Sequence, residues 1–386
     1  MTRVTADWLA APATRAVFAL LTGAGHQAFF VGGCVRDALL GLRSADIDLA
    51  TDASPEVVLD QAARVGVRAV PTGLAHGTVT LVIDGRAFEV TTFRRDVATH
   101  GRHATVAFGT DIAEDAARRD FTMNALYARP DGEVLDPLGG LPDLRARRVR
   151  FVGDPATRIA EDYLRLLRFF RFHAWFGDPE GGLDPEALAA CAAAQEHLDR
   201  LSRERVGAET RKLLAAPDPA PAVAAMAATG ILARLLPGAD PVALAPLAHI
   251  EAAGGHAPRW QRRLAALGDA ADWAAALRFS KPERKALAAI AAALAEPSCA
   301  VAAYRHGAEA ARDAGLIRAA TLGVAPPATL GTEIDRGATA RFPLRAADLA
   351  LRGPALGAGL RRLEAAWIAS DFTLTRDDLL GRVTES

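Results

Sequence analysis

The sequence predicts an α+β head built on a mixed β-sheet, followed by an all-α remainder. Three observations carry that prediction. Short β-rich runs punctuated by Gly-Gly and Asp-Gly turns fill the first 150 residues, whereas apolar positions at a 3.6-residue period dominate from about Asp154 onward. Alanine shifts with the pattern, with 26 in residues 1–150 and 61 in residues 151–386. The composition, 51% apolar and 24% charged, is that of a chain with a packed core and excludes a disordered or collagenous protein.

The elements follow in order. Gln27–Val31 reads as a strand running into Gly32-Gly33, with a helix at Cys34–Gly41 immediately after. Asp46–Ala50 is a short alternating strand, and Pro55–Val65 is helical. Thr78–Ile83 and Ala87–Phe93 flank Asp84-Gly85, a strong hairpin signal. A helix is expected at Asp111–Arg118, then a second hairpin in which Ala125–Arg129 and Glu133–Asp136 flank Asp131-Gly132. Asp154–Phe176, Pro185–Leu198, Ser202–Ala215 and Ala220–Leu235 read as helices broken by Pro, Gly and Asp clusters. No fixed-period repeat is present, which argues against a solenoid. The expected division is a head at 1–143, a helical neck at 144–215, and a helical body and tail at 216–386.

Charge narrows the functional classes less than it first suggests. The 45 basic and 46 acidic residues give a net charge of −1, and 42 of the basic residues are arginine. Residues 1–150 hold 17 basic and 18 acidic groups, so neutrality is spread along the chain rather than made by two opposed domains. A nucleic-acid surface would have to be a folded stripe of arginines, with Arg352, Arg361 and Arg362 as candidate members. Cys34, Cys191 and Cys299 form no CxxC pair, which fits reduced thiols in the cytoplasm. The most apolar stretch, Ala222–Ala233, is too short to span a membrane, and the N-terminus does not read as a signal peptide.

The candidate chemistry lies in the head and the helix after it. Gly32-Gly33 between strand and helix lets backbone N–H groups approach a phosphate, and Arg36 on the first turn adds a charge-assisted contact. Asp46 and Asp48, two apart on a strand, point to one side; such a pair can hold divalent cations about 4 Å apart for phosphoryl transfer. Each feature alone is commonly structural, the glycines as a plain turn and Asp-x-Asp as a solvated strand end. Glu89 is a candidate third carboxylate or an edge charge that blocks aggregation. Arg118-Arg119-Asp120 can be a charge cluster ending a helix, and the Gly/Pro-rich run Asp136–Leu144 a connector or a hinge.

On the periodic helix, Glu161, Asp162, Arg165 and Arg168 share a face. A salt-bridged surface is the ordinary reading of such spacing. The alternative is base recognition, in which a carboxylate accepts from an exocyclic amino group and an arginine donates to a ring nitrogen or carbonyl. That arrangement would select C and A, because U and G place a carbonyl oxygen against the carboxylate at a cost of about 1–3 kcal/mol.

In this order, Gly-Gly-x-Val-Arg-Asp…Asp-x-Asp, Glu-Val-Thr-Thr-Phe-Arg, Arg-Arg-Asp-Phe-Thr-x-Asn-Ala, the Gly-rich connector and Glu-Asp-x-x-Arg-x-x-Arg resemble the class II tRNA nucleotidyltransferase and bacterial poly(A) polymerase family. The likeness is dense from Phe29 to Phe172 and continues more weakly through Leu201–Glu209 and the tail segment Asp348–Ile368. It implies an elongated head, neck, body and tail. It also implies Mg²⁺ on Asp46 and Asp48, with Glu89 a third carboxylate, and Gly32, Gly33 and Arg36 on the triphosphate. Arg119, Asp120 and Asn124 would contact the ribose, while Asp162 and Arg165, aided by Glu161 and Arg168, would pair with the base. The implied activity is addition of C, C and A to the 3′ end of tRNA from CTP and ATP, with no protein partner inferred. Rival readings are a poly(A) polymerase, a partial CC- or A-adding enzyme, and an RNA-binding protein with an inactive head. One departure concerns the loop 96–109, where the family often carries an acidic-Gly-basic-basic-Pro run. This chain has Thr99-His100-Gly101-Arg102-His103-Ala104, and a metal site on His100 and His103 is not expected. The absence of a His-Asp dipeptide argues against an appended HD phosphohydrolase domain.

Overall fold

A computed structural model describes residues 2–44, 46–100 and 103–384, and their side chains apart from 96–106, 383 and 384. The chain forms two compact units, one comprising residues 1–213 and 221–235, the other 214–220 and 236–386. The expected head and neck therefore share one unit, and residues 221–235, expected in the body, belong to it too.

The first unit opens with helices α1 (Asp7–Ala10) and α2 (Pro12–Thr22), followed by strand β1 (Ala28–Val31), helix α3 (Gly33–Leu39), strand β2 (Asp48–Thr51) and helix α4 (Pro55–Arg64). Strands β3 (Arg68–Gly73), β4 (Thr78–Ile83), β5 (Arg86–Thr92), β6 (Arg94–His100) and β7 (His103–Phe108) come next. Helix α5 (Ile112–Ala117), strands β8 (Tyr127–Ala128) and β9 (Val134–Leu135), and helix α6 (Leu141–Arg145) complete the head. Seven strands form one sheet in the order β3-β4-β5-β2-β1-β8-β9. Only β2 and β5 pair in parallel, so the sheet is mixed, as the sequence predicts.

The hairpins form where the turn chemistry places them. Asp84 and Gly85 both have positive φ, the geometry that joins β4 to β5 without splaying the strands. Three strands were not legible. Strand β3 carries no fully buried residue and so shows no clean alternation. β6 and β7 pair only with each other, covering most of the loop expected at 96–109. Gly101 and Arg102 lie outside the described residues, as do the side chains of His100 and His103.

Both faces of the sheet are buried: Phe30, Leu49, Phe88 and Val90 on one, and a second cluster on the other. Phe29 and Val31 of β1, Ala50 of β2, Phe93 and Tyr127 pack with Ala116, Ala125 and Val152. The connector at 136–144 is braced where it enters α6. Both oxygens of Asp136 accept backbone N–H groups, from Gly140 at 2.7 Å and Leu141 at 2.9 Å. Asp143 accepts from Thr122 and Arg150, each at 2.8 Å.

Beyond the head, the expected helix Asp154–Phe176 is two helices, α7 (Pro155–Glu161) and α8 (Leu164–Phe176). Asp162 between them is extended, with φ −152° and ψ 104°, and its side chain accepts from the Leu164 N–H at 3.2 Å. A short Asp side chain that captures nearby backbone competes with helix continuation, and apolar periodicity does not register that. The unit continues with α9 (Pro185–Ala193), α10 (Arg203–Leu214), α11 (Ala220–Ala228) and α12 (Ile231–Leu235).

The second unit is helical throughout: α13 (Leu244–Ala253), α14 (Trp260–Ala266), α15 (Ala270–Ala276), α16 (Lys281–Ala295), α17 (Cys299–His306), α18 (Ala308–Leu322), α19 (Leu330–Thr339), α20 (Gly353–Ala369) and α21 (Arg376–Thr384). Its last segment has its own small core, with Leu344, Leu349, Leu363, Trp367 and Leu379 buried together. Among the described residues no helix is long and apolar enough to cross a membrane.

Candidate active site

The strand-to-helix turn after β1 needs glycine. Gly32 has φ 70°, where an L side chain is strained, and a Cβ there would lie 3.3 Å from Nη1 of Arg119. Gly33 opens α3, so the turn and the start of the helix present backbone N–H groups together.

Parallel pairing of β2 with β5 sets Asp48 directly beside Glu89. Registered neighbours share a face of the sheet. The antiparallel register Phe29 to Ala50 and Phe30 to Leu49 continues to bring Val31 beside Asp48, and Val31 pairs with Tyr127. Glu89, Asp48, Val31 and Tyr127 thus form one row across four strands. Asp46 is exposed just before β2, its backbone carbonyl accepting from the Ser44 hydroxyl at 2.8 Å.

No described cation pairs with Asp46, Asp48 or Glu89. Burial, then the charges of Glu89 and Asp46, push the Asp48 carboxyl up to about 6, opposed only by Arg119. A carboxylate destabilised in this way favours an added cation. The donors are hard oxygens, the type that Mg²⁺ takes from one or two carboxylates before phosphate oxygens and water fill the rest. Among the described residues no three Asp, Glu, His or Cys side chains converge on one ion position. The structure therefore does not gather Asp46, Asp48 and Glu89 at one ion position as the resemblance implied, while the hard oxygen donors of Asp46 and Asp48 suit a divalent cation.

Arg119 and Asp120, at the end of α5, turn in different directions. Arg119 donates through Nη2 to Asp115 at 3.0 Å and through Nε to the Tyr127 hydroxyl at 3.1 Å. Asp120 accepts from the Phe121 N–H at 2.9 Å, from Asn124 Nδ2 at 3.0 Å and from Arg168 Nε at 2.8 Å. Burial alone would raise its pKa, but Arg168 and these hydrogen bonds bring it down to about 2. Asn124 passes the connection on, its Oδ1 accepting from Arg36 Nη1 at 2.6 Å. Arg36 is buried, bonded also to Asp37 at 2.7 Å and stacked on Phe176 at 3.8 Å. The structure thus brings Arg36, Asn124, Asp120 and Arg168 into one chain between the glycine turn and α8.

The base-reading candidates are held by different partners. Glu161 pairs with Arg158 at 2.7 Å and with Arg165, while Arg165 also donates to the Arg158 carbonyl at 3.0 Å. Asp162 does not pair with Arg165; its Oδ2 accepts from Arg205 of α10 at 2.6 Å. A second tie to α10 runs from Arg171 of α8 to Glu209 at 2.5 Å. Sequence reasoning had no route to Tyr127, whose hydroxyl emerges from a core strand. Asp115 had one unused signal, its spacing of three and four residues before Arg118 and Arg119.

Residues 28–150 match the family described as the Poly A polymerase head domain, and residues 182–242 match the one described as the probable RNA and SrmB-binding site of polymerase A. The crystal structure of the Bacillus stearothermophilus CCA-adding enzyme in complex with CTP is 30% identical, with a TM-score of 0.74, covering 95% of this chain and 94% of that one. The chain belongs to the class II tRNA nucleotidyltransferase and poly(A) polymerase family. The human mitochondrial CCA tRNA nucleotidyltransferase 1 is 44% identical over 190 residues, 49% of this chain and 44% of that protein. The CCA-adding enzyme of Anoxybacillus flavithermus is 41% identical over 213 residues, 55% of this chain and 52% of that one. The chain thus matches about half the length of these curated relatives. In this family member the matched head contains the carboxylate row, the glycine turn and the Arg119–Asn124 segment.

Proposed function

We propose that this chain adds C, C and A to the 3′ end of tRNA from CTP and ATP without a nucleic-acid template, releasing pyrophosphate. The observation that carries the reading is the Asp48–Glu89 row with Asp46, carboxylates that form no ion pair among the described residues, on the sheet that also carries the glycine turn. The relatives named as CCA-adding enzymes support it.

Mg²⁺ held by Asp46 and Asp48 would neutralise the phosphates and lower the pKa of a bound hydroxyl. The chain's own groups do the rest. The Gly33 N–H at the start of α3 orients the triphosphate; the Gly32 N–H is bonded to the Leu126 carbonyl at 3.1 Å and fixes the turn, with Arg36 holding the first turn of α3 behind it. Asp120 and Asn124, bonded to each other, line the ribose side. Asp162 has one oxygen on Arg205 and one on a backbone N–H, and each carboxylate oxygen can accept a further bond, here from the exocyclic amine of cytosine or adenine. Arg165, anchored through Glu161 with Arg168 one turn on, supplies the facing donor. The 3′-hydroxyl of the tRNA attacks the α-phosphorus, and the bond to the pyrophosphate oxygen breaks in line. Exposed Arg352, Arg361 and Arg362 of the second unit are candidates for contacting the tRNA backbone. The three cysteines are buried and unbridged, as suits a reducing cytoplasm.

The deciding assay incubates the protein and Mg²⁺ with tRNA ending at the discriminator base, at C, or at CC, with each nucleoside triphosphate supplied singly. Two C additions and then one A are expected. A ladder of A instead identifies a poly(A) polymerase, addition of only CC or only A a partial enzyme, and no incorporation an inactive head.

A further inference from the structure

We propose that Tyr127 and Asp115 are positioning residues that aim Arg119 at the polyphosphate of the incoming nucleotide. The inference rests on the nucleotide-transfer reading above and assigns a task to two residues outside its motifs. Asp115 is almost wholly buried and serves three donors: Arg118 at 2.8 Å, Arg119 at 3.0 Å and the Tyr127 hydroxyl at 2.6 Å. Burial opposes its charge, and the two arginines with the tyrosine hydroxyl more than restore it. Tyr127 is fully buried in the head core, yet its hydroxyl both donates to Asp115 and accepts from Arg119 Nε. A ring that only filled space would not need that hydroxyl.

What the clamp fixes is a direction. With Nε and Nη2 occupied, the remaining arm of the Arg119 fork, Nη1, lies against the backbone of Gly32, where a Cβ would stand 3.3 Å away. The row of Glu89, Asp48, Val31 and Tyr127 puts the clamp on the same sheet face as the carboxylates, two strands from Asp48. Among the described residues, the Arg119 charge lowers the Asp48 pKa against burial and the neighbouring carboxylates. A planar guanidinium between the glycine turn and the carboxylate pair faces the place where phosphate oxygens must pass, and its fork suits them.

The test is calorimetric titration of inorganic tripolyphosphate into the whole chain, alongside CTP and dCTP incorporation. Tyr127→Phe should weaken tripolyphosphate binding about tenfold, the scale of one lost hydrogen bond to a charged group. It should leave the CTP to dCTP preference close to that of the parent, with a modest fall in melting temperature from the buried groups left short of a partner. Arg119→Lys, which keeps the charge and loses the fork, should show the same loss and guards against a folding defect in the first variant. Unchanged tripolyphosphate affinity in both variants overturns the proposal, as does a collapse of the CTP to dCTP preference at constant tripolyphosphate affinity, which would place Arg119 on the ribose. If the parent chain incorporates no nucleotide but Tyr127→Phe still weakens tripolyphosphate, the transfer reading fails and the clamp stands.

Discussion

Asp48 and Asp120 belong to one unit, and both are largely withdrawn from water, yet their surroundings drive them in opposite directions. Asp48 sits in a row with Glu89, near Asp46, and rises to about 6. Asp120 accepts from Arg168, Asn124 and its neighbour's N–H, and falls to about 2. The first is short of a cation; the second already has one. The second unit also buries charged side chains together, although there burial outweighs the arginines at Asp313 and raises its pKa. Arg262 bridges Glu251 at 2.6 Å and Asp313 at 2.8 Å, and Arg263 joins Glu251 at 2.7 Å to the carbonyls of Leu214, Ala216 and Pro217. All four of these charged side chains are buried. Charged residues are thus no guide to function by type; the informative carboxylates are those that the fold leaves unpaired.

The comparison can be broken first at the unpaired site. Asp48→Asn should lower nucleotide incorporation by about 10³-fold, the scale for losing a central electrostatic group. Urea unfolding should show no loss of stability, because the substitution relieves the repulsion from Glu89 and Asp46. An active variant would remove Asp48 from the chemistry.

At the buried network of the second unit the expectation reverses. Arg263→Met should leave Glu251 buried without one of its arginines and cost about 3–5 kcal/mol of stability. Denaturant midpoints measure this, and an unchanged midpoint would mean that the cluster does not hold the unit together.

Asp162→Ala sharpens the intermediate case of a paired group that retains accepting capacity. Preference for CTP and ATP over UTP and GTP should fall about tenfold to a hundredfold. Competition by tripolyphosphate should stay as in the parent, and unchanged base choice would exclude Asp162 from recognition.

The smallest effect concerns Asp120 and acid. Its folded pKa of about 2 lies below the ordinary 3.8. Its contribution to stability is therefore complete above about pH 4 and is lost as the pH falls through about 2. In urea titrations, the stability gap between the parent and Asp120→Asn should close over that window. A gap constant from pH 5 to 2 would show that the Arg168 pair does not set the Asp120 pKa.

Much of the head was legible because its signals are local. Asp84-Gly85 fixes a hairpin by turn geometry, and the sheet came out mixed as expected. Strand β3 was not legible, since it is paired on one side only and buries little. The break at Asp162 was not either, because a side chain taking a backbone N–H two residues on leaves no trace in apolar spacing. At the candidate site the motif residues could be named from their order. Their partners could not: Arg205 reaches Asp162 across 43 positions, and Arg168 reaches Asp120 across 48.

By itself the sequence determined the division into a β-rich head and a helical remainder, the glycine turn, and the residue types available for phosphate, cation and base. Those follow from backbone freedom, periodicity and side-chain chemistry, all of which act over a few residues. Only the tertiary structure decided which charges meet. Pairing of β2 with β5 set Asp48 against Glu89, and pairing of β1 with β8 placed the Tyr127 hydroxyl under Arg119. Burial then gave those meetings their weight, because a charge withdrawn from water depends on the few groups within its reach.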